Sequence, residues 1–167
     1  MDSLAVHVAI TFCLAAFAGA TTAVVLRRSR RVGAAERLAR ARRDFHRQRE
    51  PLEAKFIELA AATGKPRGLR WIDVDFADDV VYARERKTRQ LKALVAVEVR
   101  FEAIVGGGME EVEAVSTVRA ATAEFVHDGS RWGTRGRVFF NLDPSAAVNH
   151  LRGDLELVAE EPAGGRA

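Results

Sequence analysis

The chain has almost no cysteine. Cys13 is the only one among 167 residues and lies inside an apolar run, so no intramolecular disulfide can form and a folded domain must rely on its core. With no thiol beyond residue 13, cysteine nucleophiles are excluded from the rest of the chain. The G-x-S-x-G turn that would expose a nucleophilic serine is also missing. Neither Gly64-Lys65 nor Gly106-Gly107-Gly108 fits the G-x-x-x-x-G-K-[ST] loop that wraps phosphate in backbone N–H groups, which argues against nucleotide hydrolysis. His46, His127 and His150 are far apart and outside any H-E-x-x-H spacing, so they read as surface histidines rather than metal ligands.

Charge is absent where a membrane would exclude it. From Ser3 to Leu26 there are 24 residues without Asp, Glu, Lys or Arg. At about 1.5 Å per residue such a helix crosses a hydrocarbon core of roughly 30 Å. A cleaved secretory signal is the competing reading, and Ala16-Phe17-Ala18 resembles its cleavage site, but Met1-Asp2-Ser3 lacks the basic start a signal needs. Residues 1–26 are therefore expected to form a transmembrane anchor. Arg27, Arg28, Arg30 and Arg31 follow at once, which by the positive-inside rule places the remainder in the cytoplasm and makes these arginines topology determinants in contact with lipid headgroups. Binding nucleic acid is the alternative use of the same charges. Arg27 to Arg49 holds ten arginines against Glu36 and Asp44, a balance of +8 in a chain of +3, which leaves the rest near −5.

Residues 34–50 lack glycine and proline and are rich in Ala, Leu, Arg and Glu, which predicts a juxtamembrane helix within a connector over 27–50. Leu38, Phe45, Leu52 and Leu59 recur every seven residues and offer a homodimer seam over residues 38–59, although Gln48 and Lys55 interrupt it. Pro51 suits the first position of a second helix, PLEAKFIELAAAT, that presents Leu52, Phe56, Leu59 and Ala60 on one face and stops at Gly64 and Pro66.

Beyond Leu69 the spacing becomes alternating. Ile72, Val74 and Phe76 oppose Trp71, Asp73 and Asp75 on a strand that continues through Val80-Val81-Tyr82, with Ala77-Asp78-Asp79 as a bulge. In the strand over 91–104, Ala93, Val95, Val97, Val99 and Phe101 face a core, and Glu98, Arg100 and Glu102 face water. A third strand is expected over about 111–126. His127-Asp128-Gly129-Ser130 marks a hairpin into a fourth with Trp132, Val138 and Phe140. Asp143-Pro144 predicts an N-cap and N1 proline for a short helix through Leu151, closed by Gly153.

The fold class that follows is α+β: after the anchor and juxtamembrane helix, one helix packs on a four-stranded antiparallel meander. The domain is expected over 51–158 and a disordered tail over 159–167. Helix followed by curved sheet, over residues 51–142, resembles the cystatin-like and NTF2-like rolls in element order. The stretches FEAIVGGGMEEVEAVSTVRAATAEF and GRVFFNLDP resemble those of uncharacterised bacterial single-pass membrane proteins, a resemblance that implies no activity.

No catalytic, cofactor-binding or metal-ligating set emerges from the residues. Asp73, Asp75, Asp78 and Asp79 form the densest acidic group, and i, i+2 carboxylates share a strand face as a hard cation would need, but no second segment completes a cage and a solvated face explains them. Trp71, Asp73, Asp75, His127 and Trp132 are the residues to inspect in a surface or pocket. The expected role is a membrane-tethered, non-catalytic binding or assembly module that meets a protein partner. The alternatives are a small-ligand binder or enzyme working between helix and sheet, and a nucleic-acid tether.

Overall fold

The computed structural model describes residues 28–29, 32–63, 68–109, 111 and 117–163. The expected transmembrane helix of residues 1–26 lies outside these, as do Arg27, Arg30 and Arg31; among the described residues no helix is long and apolar enough to cross a membrane. The chain divides into two compact units, Met1–Arg43 and Asp44–Ala167. In the first, residues 32–43 are helical and Arg28 is exposed. The second, from Asp44 on, holds the sheet and the segments packed on it.

Residues 32–47 form α1, and α2 runs Arg49–Ala62. The second helix starts two residues earlier than Pro51 suggests. Pro51 still falls in the first turn, where its missing N–H costs no hydrogen bond. Its ring would collide with the carbonyl of Arg47 four residues back, and the backbone leaves helical geometry at Gln48, φ −107° and ψ 10°. Leu52, Phe56 and Ala60 are the buried face of α2, with Leu59 half-buried at its margin. The Thr63 hydroxyl donates to the Ala60 carbonyl at 2.7 Å and closes the helix.

The strands are β1 (Leu69–Glu85), β2 (Leu91–Ala103), β3 (Arg119–His127), β4 (Trp132–Phe140) and β5 (Leu155–Glu161), with α3 (Pro144–His150) before the last. The sheet order is β4-β3-β2-β1-β5 and every pairing is antiparallel. The sheet thus has five strands rather than the expected four. β5 escapes a search for alternation because Leu155 is its only buried side chain. It reaches Glu161, opposite Val80, and so extends into the segment expected to be a tail. β3 begins at Arg119, later than expected.

β1 carries two irregularities against β2. The expected one lies between Phe76 and Val80, where Ala77, Asp78 and Asp79 stand against Ala96 alone. The other falls between Trp71 and Asp73. It expels Ile72, which is exposed, and turns Trp71 toward Phe101 and Phe140 at ring distances of 5.4 and 6.2 Å.

The two faces of the sheet are covered differently. α2 and the last turn of α1 lie on one face, where Phe45 and Phe56 are fully buried against Phe125 at 5.4 and 5.7 Å and Trp132 meets Phe45 at 5.0 Å. Gly136 of β4 permits the closest approach: a Cβ there would stand 2.5 Å from the Ala60 nitrogen, and its φ is +68°. The opposite face was expected to meet water. Instead, α3 covers one end of it through Ala147 and Val148, packed with Val81, Ala83, Leu94 and Leu155. The signal for that second layer is the unbroken buried run from Leu91 to Val95, which marks a strand covered on both sides.

Candidate functional site

The irregular segment of β1 is held by a residue that the sequence offered only as one more connector charge. Arg49, in the first turn of α2, donates to the carbonyls of Ala77 and Asp78 and pairs with Glu53 at 2.6 Å. A bulge leaves carbonyls outside the strand ladder, and a guanidinium buried against them satisfies more than one at once.

Next to this bulge, on the face that α3 covers only in part, a groove of about 560 Å³ opens to solvent. Alanines 77, 96 and 120 make its floor shallow, and Leu142 is an apolar wall; Phe76 borders it while its ring points to the other face, against Phe56 and Phe125. Asp75, Glu98 and Asp143 supply its charge, and among the described residues no Lys, Arg or His lines it. Asp75 and Glu98 are direct partners across the β1–β2 pairing, a like-charge arrangement that costs stability. Among the described residues neither carboxylate has an ion-pair partner; the nearby Arg100 pairs with Asp73 at 3.7 Å. Asp143 is partly occupied, since its Oδ1 accepts from the Ala146 N–H at 2.7 Å as the N-cap of α3, as the Asp143-Pro144 pair predicts. Asn141, at φ +59°, turns the chain out of β4 and donates its N–H to the Ala120 carbonyl at 2.9 Å, which fixes that wall.

A second polar group crosses the same face. Lys92 and Glu124 are both buried, with Nζ 2.9 Å from the carboxylate, and Glu85 and Arg137 stand 3.7 and 3.8 Å from this pair. Glu85 also accepts from the Thr88 hydroxyl. That hydrogen bond, aided by Lys92 and Lys87 and opposed by burial, holds the Glu85 carboxyl below its ordinary value. A lysine so tightly paired is held in place, which suits structure rather than nucleophilic attack.

The residues singled out from sequence are scattered over this frame. Asp75 lines the groove, and Asp73, exposed, pairs with Arg100. Trp71 belongs to the aromatic group of Phe101 and Phe140. His127 packs on Trp132 at 5.1 Å and its Nδ1 accepts from the Gly129 N–H, while Trp132 is buried beside Phe45 and Tyr82. Of the five, only His127 and Trp132 meet. Asp128, in the hairpin, accepts from the N–H groups of Arg131 and Ser130 and from the Ser130 hydroxyl, which hold its carboxyl far below the usual range. The space between α2 and the sheet is filled by Phe45, Phe56, Phe76 and Phe125. Among the described residues no cluster of His, Cys, Asp and Glu has the arrangement of a metal site. Glu98, Asp143 and Arg49 went unselected in the sequence, because a cross-strand register and a loop position decide their roles.

Comparison with known proteins yields no matching family model, no matching curated protein and no matching solved structure.

Proposed function

We propose that this chain is a membrane-tethered, non-catalytic binding or assembly module. The observation that carries this reading is the contrast between a helix–sheet interior filled with phenylalanine and a groove open on the far face, where a partner can be met without disturbing the core. The tether rests on sequence: an uncharged run from Ser3 to Leu26 followed by Arg27, Arg28, Arg30 and Arg31. That order places the domain on the cytoplasmic side, with a stalk of +8 drawn to anionic headgroups and an acidic remainder repelled by them. The kinship with bacterial single-pass proteins and the likeness to cystatin-like or NTF2-like rolls belong to the same proposal and rest on sequence stretches and element order alone.

The test is a crosslinking pull-down of the full chain from native membranes, set against a control that ends at residue 43. Reproducible enrichment of one protein by the full chain is expected. Identical recovery by the two chains overturns the binding reading, and release of the full chain by alkaline carbonate overturns the tether.

A further inference from the structure

The geometry points to a binding surface for a basic peptide segment of a partner protein, in the groove between the β1 bulge, β2 and the loop 141–143. This deepens the proposal above and rests on it.

The groove combines an apolar floor with a single sign of charge. Leu142 and the alanine floor offer surface to the methylene stems of arginine or lysine, while Asp75, Glu98 and Asp143 offer acceptors to their heads. Asp75 and Glu98 face each other across paired strands without a cation among the described residues. Such a pair breaks the usual cross-strand rule, and a guanidinium between the two carboxylates would turn the repulsion into attraction on binding. Arg100, the nearest cation on β2, is engaged by Asp73 and leaves the complement to the ligand. The opening to solvent suits a segment laid across the surface, with alternate side chains directed into the groove. Arg49 keeps the rim in shape by holding the carbonyls of Ala77 and Asp78.

The probe is a fluorescein-labelled peptide, Ala-Arg-Leu-Arg-Ala-Arg, titrated by anisotropy against the full chain in detergent. The control peptide carries citrulline in place of arginine, which keeps shape and removes charge. Binding by the arginine peptide should be at least tenfold tighter than by the citrulline peptide, weaken with salt, and fall at least tenfold in the chain carrying Asp75→Asn and Glu98→Gln. Both positions are exposed, and a cooperative thermal transition no lower than the parent's shows that the variant folds. Equal binding by variant and parent, or by the two peptides, overturns the inference. Displacement of the peptide by spermine at matched charge concentration also overturns it, by showing a site for cations of any kind. Failure here with partner enrichment preserved in the pull-down removes the groove and leaves the tethered module standing; failure of the pull-down removes the module itself.

Discussion

The two ends of the sheet solve the burial problem in different ways. Where β1 runs from Val80 to Ala83 and β2 from Leu91 to Val95, both faces are covered, one by α2 and the Phe45 turn, the other by α3, and nearly every side chain is buried. Where β1 runs from Leu69 to Phe76 and β2 from Val97 to Phe101, a single face is covered, β2 alternates, and β5 gives β1 no outer neighbour. The first end supplies stability. The second keeps an open groove, an unrelieved carboxylate pair and exposed Ile72, Ile104, Val105 and Val118. On the binding proposal, stability and recognition are separated along the strands, with the 77–79 irregularity between them.

The strongest way to break this comparison is to hollow the doubly covered end. Phe45→Ala removes a ring at 0% exposure and should cost about 3–5 kcal/mol. Trp71→Ala, at the singly covered end, should cost less, and urea denaturation of the two variants reads the difference. Lys92→Met should cost roughly 3–5 kcal/mol, because it leaves Glu124 buried with only Arg137 at 3.8 Å. Adding Glu124→Leu to that variant should restore most of the loss, and a double variant no more stable than the single one contradicts the reading of the pair.

Gly136→Ala forces a Cβ into the backbone of α2 and should lower stability by roughly 1–3 kcal/mol. Gly133→Ala, which meets nothing within 4 Å, should change it little. Equal thermal shifts for the two glycines would remove the close-approach argument. The Lys92 end should also respond to acid. Glu85 has a folded-state pKa below its ordinary value of 4.5, so its contribution is present above that value and disappears as pH falls through the lower folded value. Stability measured against pH should drop in that window, and less so in Glu85→Gln. The smallest effect belongs to the groove: Asp75→Asn should stabilise by up to about 1 kcal/mol through relief of the Glu98 repulsion.

How much of this was legible followed from how local each cause is. The alternation of β2, the 77–79 bulge, the 127–130 hairpin and the Asp143-Pro144 cap are written in adjacent residues and could be read directly. The second bulge at Ile72 could not, because alternation around it is unbroken in sequence and only Trp71 packing on Phe101 reveals the slip. α3 is seven residues long and buries Pro144, Ala147 and Val148, too short a stripe to announce a covering layer. β5 buries one side chain and gave no period. Of the groove, Asp75 was singled out from sequence, whereas Glu98 joined it only through the strand register and Asp143 through the loop before α3.

Amide hydrogen exchange on the full chain in detergent, with and without the arginine peptide, tests the division most directly. The account predicts the slowest exchange in residues 80–83, 91–95 and 122–125, unchanged by peptide, and peptide-induced slowing confined to 73–77, 96–98, 119–121 and 141–143. Slowing centred on the doubly covered end, or equal protection at the two ends without peptide, would contradict it.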